Sequence, residues 1–236
     1  MASPMKILIV VPAYNEEENL PQLLDEIRSY RFDVVVVNDA STDATAKVAR
    51  QLKVPVLSLA ANLGIGGAVQ TGFKYAIQNG YDVVVQIDGD GQHDPRWVEE
   101  IVRPISSGLA DCVIGSRYVP GRPDIGYRTP ITRRIGMYFS SWILFATTGL
   151  RISDTTSGFR ALGRPIIEYF AQAYPVDHPE AETLLMLHQR GFRILELPVT
   201  MRCRIAGQSL FTFARAVLYP LRVIVGFTGL WLRKKA

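Results

Sequence analysis

Two carboxylates one residue apart, Asp88 and Asp90, directly follow the run Asp82-Val83-Val84-Val85-Gln86-Ile87. Such a run reads as a buried strand. Open α/β sheets bind ligands in the crevice beyond the carboxyl ends of their strands, and alternate residues of an extended chain share a face. Asp88 and Asp90 could therefore converge on one hard divalent cation, Mg²⁺ or Mn²⁺, whose open positions bridge a substrate diphosphate. The same triplet also makes an ordinary turn. Gln92 could supply a further metal oxygen. His93 suits fixing the loop better than ligation, because hard cations prefer oxygen.

Other residues with usable chemistry cluster where strand-like runs end. In Pro12-Ala13-Tyr14-Asn15-Glu16, Tyr14 could stack on a base and Glu16 accept a hydrogen bond from it. The alternative is a loop leading into an acidic first helical turn. In Asn38-Asp39-Ala40-Ser41-Thr42-Asp43, Asp39 could grip a nucleoside hydroxyl or a base imide. The alternative is Ser41 with Asp43 or Thr45 capping the next helix. Asn62-Leu63-Gly64-Ile65-Gly66-Gly67 could expose backbone N–H groups, that of Gly67 included, to a phosphate. It follows the third strand-like run rather than the first, so it is not a dinucleotide loop; close packing or a backbone approach to the ligand fits it better. Arg117, Arg133 and Arg134 lie near apolar segments, where guanidinium groups would suit a lipid-linked phosphate. Glu182 near a helix start reads as a general base or acceptor-orienting group, or as a carboxylate complementing the helix dipole. Arg202 and Arg204 could neutralise a leaving diphosphate.

The elements that must position these residues alternate through the first half. Strands are predicted at Lys6–Val11, Asp33–Val37, Val54–Leu59, Asp82–Ile87 and Asp111–Gly115, with helices at Glu17–Ser29, Thr42–Gln51, Ile65–Gln78 and Pro95–Ser106. Continuous Val/Ile runs point to strands buried on both faces, hence an α/β fold with a mostly parallel sheet flanked by helices. The second half predicts a long loop at Tyr118–Pro130, an apolar helix around Ile135–Thr147 and a polar loop at Ser153–Gly158. Helices from Pro165 and at Glu180–Gln189 and a strand at Arg193–Met201 follow.

Composition is that of a globular chain: 236 residues, 48% hydrophobic and 20% charged. The net charge of +4 is not gathered into a compact basic block before the last few residues, so nucleic-acid binding is not implied. Cys112 and Cys203 have no metal-ligand spacing and fit a reducing cytoplasm. A strand beginning at Lys6 predicts no signal peptide. Ile135–Leu150 is uncharged but shorter than the ~20 residues of a spanning helix. The stretch Phe211–Leu232 is interrupted by Arg215, Pro220 and Arg222 and closed by Arg233, Lys234 and Lys235. It reads as an interfacial helix or as a terminal helix docked on the core. One catalytic domain over 1–210 with an apolar or amphipathic C-terminal helix over 211–236 is the expected organisation.

In this order, VPAYNEEENL, VVNDASTDAT, NLGIGGAVQTGF, QIDGDGQHDP, GSRY, SDTTSGFRAL and the Glu182–Ser209 segment resemble a family-2 glycosyltransferase of the A-type fold. The nearest branch is that of dolichol-phosphate and polyprenyl-phosphate sugar synthases. The resemblance implies that Pro12, Tyr14, Glu16 and Asp39 bind the nucleotide, and that Asp88, Asp90 and Gln92 form the metal site, with Asp90 and Gln92 the direct ligands. It implies that Arg117 and Arg133 hold an acceptor phosphate, that Arg204 holds the donor diphosphate, and that Glu182 lies near the acceptor. Asn38 stands where many relatives carry Asp, and Leu210 where they carry Lys or Arg. The transmembrane hairpins of some relatives are missing from the sequence, so membrane contact is expected to be peripheral, at the cytoplasmic face, or through a membrane-protein partner or homo-oligomer.

The activity implied is inverting, Mg²⁺- or Mn²⁺-dependent transfer of a hexosyl group from a nucleotide-diphosphate sugar to a polyprenyl phosphate, in cell-wall or polysaccharide synthesis. UDP-glucose is the first donor to consider; dTDP-rhamnose, GDP-mannose and UDP-N-acetylhexosamine are also open. The alternatives are extension of a lipid-linked or cell-wall saccharide at a sugar hydroxyl, a nucleotidyltransferase, and a catalytically silent scaffold subunit. The loop Pro12–Asn15 lacks the glycine/arginine-rich character that a nucleotidyltransferase needs.

Overall fold

The computed structural model describes residues 5–120, 131–175, 179–204 and 225–229. The first half follows the sequence pattern closely: β1 (Ile7–Ala13), α1 (Leu20–Ser29), β2 (Asp33–Asn38), α2 (Thr45–Gln51), β3 (Val56–Ser58), α3 (Gly64–Gln78) and β4 (Val83–Gln86). A short 3₁₀ turn at Pro95–Trp97 leads into α4 (Val98–Ser106), then β5 (Cys112–Ser116). The second half holds α5 (Ile131–Thr148), β6 (Arg160–Gly163), α6 (Arg164–Gln172), α7 (Pro179–Gln189) and β7 (Ile194–Pro198).

These strands form one seven-stranded sheet in the order β3-β2-β1-β4-β6-β5-β7. β1 pairs in parallel with β2 and β4, β2 with β3, and β5 with β7. The expectation of a mostly parallel sheet holds with one correction. β6 runs antiparallel between β4 and β5, with Val85 opposite Ala161 and Val113 opposite Ala161 on the other side. Its four residues, Arg-Ala-Leu-Gly, are too few to carry a period of their own.

Successive β1 side chains enter opposite layers. Leu8 and Val10 join Phe73, Phe170 and Leu184 under α3, α6 and α7; Ile9 and Val11 join Leu24, Ile101 and Phe159 under α1 and α4. Every residue from Leu8 to Ala13 is buried, as expected of a central parallel strand covered on both faces. Close approach of α3 to β1 depends on Gly72, where an added Cβ would lie 3.0 Å from Cγ2 of Val10. With the sheet gripped this way, the ends of β1, β2 and β4 are brought side by side, and the polar motifs lie in the loops that leave them.

Candidate active site

The loops after β1 and β2 are laced together by side chain to backbone hydrogen bonds. Asn15 N–H donates to Ser41 Oγ (3.0 Å), Thr42 N–H to Asn15 Oδ1 (2.8 Å) and Glu16 N–H to Thr45 Oγ1 (2.8 Å). Asn15 and Ala40 both have left-handed φ, 55° and 54°, so each loop turns sharply on leaving its strand. Ser41 therefore does not cap α2. Asp43 takes that task, accepting from Thr45 N–H at 2.9 Å.

Asp39 is buried, and both of its carboxylate oxygens are engaged. Oδ1 accepts from Leu63 N–H at 2.7 Å and Oδ2 from Gly64 N–H at 2.9 Å. The helix α3 thus begins on Asp39, which satisfies N–H groups that its own first turn leaves unpaired. Gly67 packs against Leu63, with an added Cβ 3.3 Å from Leu63 Cδ1. Gly64 has open space around it and a left-handed φ of 76°, so it serves the turn's backbone conformation instead. Pro12 is buried and its carbonyl accepts from Gly89 N–H at 3.2 Å; Tyr14 is half-buried beside it.

The carboxylate pair is built just past β4. The Asp88 carboxylate accepts from Gln86 Nε2 at 3.0 Å, and Asp88 N–H donates to His93 Nδ1 at 3.0 Å. Asp90 Oδ1 accepts from Gln92 N–H at 3.0 Å, which folds the turn back on itself. The Gln92 side chain donates through Nε2 to the Arg202 carbonyl at 3.4 Å, leaving its own carbonyl oxygen as an acceptor. Gly89 is closely packed: a Cβ there would lie 3.1 Å from the Pro12 carbonyl, tighter than an ordinary contact. Gly158 approaches from β6's side, where a Cβ would lie 2.9 Å from Asp88 Oδ2.

Charge is concentrated here. Burial, and then the neighbouring Asp88 carboxylate, push the Asp90 carboxyl above its ordinary range. Burial likewise raises Glu16, although Asn19 Nδ2 donates to it at 2.5 Å and Arg204 pairs with it. Two adjacent carboxylates with so little compensation are a setting that a divalent cation would relieve. Among the described residues no group of three or more His, Cys, Asp or Glu side chains is arranged to hold a metal. The oxygen donors that this turn could offer a hard cation such as Mg²⁺ or Mn²⁺ are the Asp88 and Asp90 carboxylates and the Gln92 amide.

The arginines divide by partner. Arg204 lies on Glu16, within electrostatic reach of Asp90. Arg202 is turned to Asp94 (2.9 Å) and Glu26 (2.5 Å), so the two arginines hold different carboxylates. Arg117 is likewise engaged by a carboxylate. Its side chain is only 8% exposed, and the guanidinium forks onto Asp154, Nε to Oδ2 and Nη2 to Oδ1, both at 2.7 Å. In this structure Arg117 clamps the 153–158 loop to the end of β5. Arg133 lies in α5, and its side chain is outside the described residues, as are the 121–130 part of the long loop and Gly207-Gln208-Ser209. Glu182 is half-buried on the first turns of α7.

Sequence reading missed Asp154, Glu196 and Arg160. Glu196 accepts from Ser153 N–H (2.9 Å) and Asp154 N–H (2.7 Å). Arg160, buried on β6, donates to the carbonyls of Ser157 (2.8 Å) and Thr155 (3.1 Å) and to Thr183 Oγ1 (2.7 Å). The only signal was the Ser153–Arg160 stretch itself, rich in hydroxyls and charge between apolar segments.

Known proteins resemble this chain in sequence and in fold. The chain is 34% identical over 220 residues to the undecaprenyl-phosphate mannosyltransferase of Micrococcus luteus, covering 87% of each chain. It is 28% identical to the UDP-N-acetylglucosamine–dolichyl-phosphate N-acetylglucosaminyltransferase of Methanococcus voltae, over 82% of this chain and 84% of that one. Its fold matches glucosyl-3-phosphoglycerate synthase of Mycobacterium tuberculosis, solved with Mg²⁺ and uridine diphosphate. That match has a TM-score of 0.74 at 20% identity, over 95% of this chain and 79% of the other. The model of glycosyl transferase family 2 matches residues 8–170, which run from β1 through the carboxylate pair to α6. With its A-type sheet and its acidic crevice, the chain belongs to glycosyl transferase family 2.

Proposed function

We propose that this enzyme moves a hexosyl group, with inversion, from a nucleotide-diphosphate sugar to a polyprenyl phosphate at the cytoplasmic membrane face. The observation that carries the reading is the meeting of Glu16, Asp90 and Arg204 beside Asp88, at the carboxyl edge of β1 and β4. Tyr14, Asp39 and the loops after β1 and β2 would receive the nucleoside. A divalent cation held by Asp88, Asp90 and Gln92 would supply charge neutralisation for the departing diphosphate. Arg204, kept in place by Glu16, adds a second positive centre for that diphosphate. A phosphate acceptor is already anionic and attacks without a strong base.

The exposed face of α5 fits a lipid acceptor. Ile135, Tyr138, Trp142 and Phe145 lie on one face of α5 and are 42–64% exposed. Arg134 sits 5.9 Å from the Tyr138 ring and Arg151 5.3 Å from that of Phe145. Aromatic residues rimmed by arginines suit the boundary of an anionic bilayer. No helix among the described residues is long and apolar enough to cross a membrane.

The relatives' names differ in sugar, mannosyl in one and N-acetylglucosaminyl in another, so the donor has to be found by screening. Purified protein with Mn²⁺ or Mg²⁺ would be offered UDP-glucose, GDP-mannose, dTDP-rhamnose and UDP-N-acetylglucosamine, with undecaprenyl phosphate in micelles. Glycolipid and free nucleoside diphosphate are expected from one donor. Transfer only to saccharide hydroxyls would instead favour chain extension with Glu182 as base. Absence of turnover with every donor and acceptor would sink the enzyme reading in favour of a silent subunit.

A further inference from the structure

Residues 225–229 form a helical segment that packs on the catalytic domain. Phe227 is 5% exposed and lies in the core cluster that contains Leu144 of α5 and Ala181, Leu184 and Leu185 of α7. Its neighbour Gly226 abuts Glu182. A Cβ built on Gly226 would lie 2.6 Å from Glu182 Cδ and 3.1 Å from Cγ, so a side chain at 226 fits only if the Glu182 carboxylate shifts.

The first turns of α7 are fastened from the other direction as well. Thr183, next to Glu182, accepts from the buried Arg160, which also holds the carbonyls of Thr155 and Ser157. That same loop reaches the carboxylate pair, since Gly158 abuts Asp88. Glu182 is thus placed between a loop tied to the donor side and the segment 225–229.

We propose that segment 225–229 is a wall of the acceptor subsite, and that Gly226 is a positioning residue that leaves Glu182 room to face the acceptor oxygen. Phe227 anchors the wall, and the missing side chain at position 226 sets its spacing. The proposal rests on the reading of Glu182 as the acceptor-side carboxylate. It makes residues 225–229 part of the active site.

The test is Gly226→Ala, alone and combined with Glu182→Asp and Glu182→Ala. The atoms that a new methyl meets belong to a flexible side chain, so Glu182 moves and the core stays. Gly226→Ala is expected to raise KM for undecaprenyl phosphate about ten-fold, the size of coupling usual for contacting residues. UDP–Mn²⁺ affinity and melting temperature should stay at wild-type values. Glu182→Asp, shorter by one methylene, should restore room and cut the penalty. In the Glu182→Ala background, Gly226→Ala should have no effect. An effect that persists in that background would overturn the proposal, and so would a harmless Gly226→Ala beside a damaging Glu182→Ala, which leaves the Glu182 reading intact. If both single variants are harmless, the acceptor reading of Glu182 fails and the wall proposal with it.

Discussion

The backbone N–H of Asp88 donates to Nδ1 of His93 at 3.0 Å, and the imidazole is stacked on Phe159 with ring centroids 5.1 Å apart. Because Nδ1 accepts, the ring proton sits on Nε2, 3.8 Å from Asp88 Oδ2. His93 is buried, so its ring is a fixed strut that sets the turn carrying both carboxylates.

His93→Asn places an amide oxygen near the position of Nδ1 and should keep Mn²⁺ affinity, read by calorimetry in the presence of UDP, within a few-fold of wild type. His93→Phe leaves the Asp88 N–H without its acceptor, a loss of about 1–3 kcal/mol, and should weaken Mn²⁺ binding by about ten-fold or more. Equal affinity in the Phe variant would remove His93 from the site.

Asp39 starts α3, and the proposed function gives it the nucleoside as well, so its replacement should register twice. Asp39→Ala is expected to cost about 0.5–2 kcal/mol in urea unfolding, as other helix-start carboxylates do, and to weaken UDP binding. Asp39→Asn, with one acceptor oxygen left, should fall between. Lost stability with unchanged UDP affinity would confine Asp39 to the helix.

Burial alone would raise the Asp154 carboxyl, but the hydrogen bonds and charge of Arg117 outweigh it and hold the group below its ordinary range. A carboxyl depressed on folding contributes stability that is complete above its unfolded value, about 3.9, and is lost as pH falls through the folded value. Asp154→Asn, which strands a buried guanidinium, should therefore cost about 3–5 kcal/mol near neutral pH. The gap from wild type should close as pH drops below about 4. A gap that stays constant to lower pH would contradict the ion pair.

Much of this site was legible because it is local in sequence. A Val-rich strand followed by Asp88-Gly89-Asp90 places the carboxylates at a sheet edge whatever else the chain does. The Tyr14–Glu16 and Asp39 loops follow the same logic. What escaped was non-local. Arg117 finds Asp154 across 37 positions and Arg204 finds Glu16 across 188, and no spacing rule joins such pairs. β6 escaped because a four-residue antiparallel strand, inserted between β4 and β5, has neither length nor alternation to announce it. Gly226 was invisible as a site residue because its contribution is the absence of a side chain beside Glu182.

If the exposed face of α5 meets lipid, charge placed there should release the protein. Trp142→Glu and Tyr138→Glu are expected to reduce co-sedimentation with phosphatidylglycerol vesicles several-fold while leaving UDP–Mn²⁺ binding unchanged. Unchanged vesicle binding would assign membrane contact elsewhere.

The carboxylate pair is best tested on the protein that shows transfer in the donor screen. Asp90→Ala should retain the wild-type fold by circular dichroism, since Asp90 is half-buried and outside the core clusters. It should lose Mn²⁺-dependent transfer by at least about a thousand-fold, because the departing diphosphate loses its main counter-charge. A folded Asp90→Ala enzyme that still transfers sugar at the wild-type rate, with the wild-type response to Mn²⁺, would contradict the metal-site assignment.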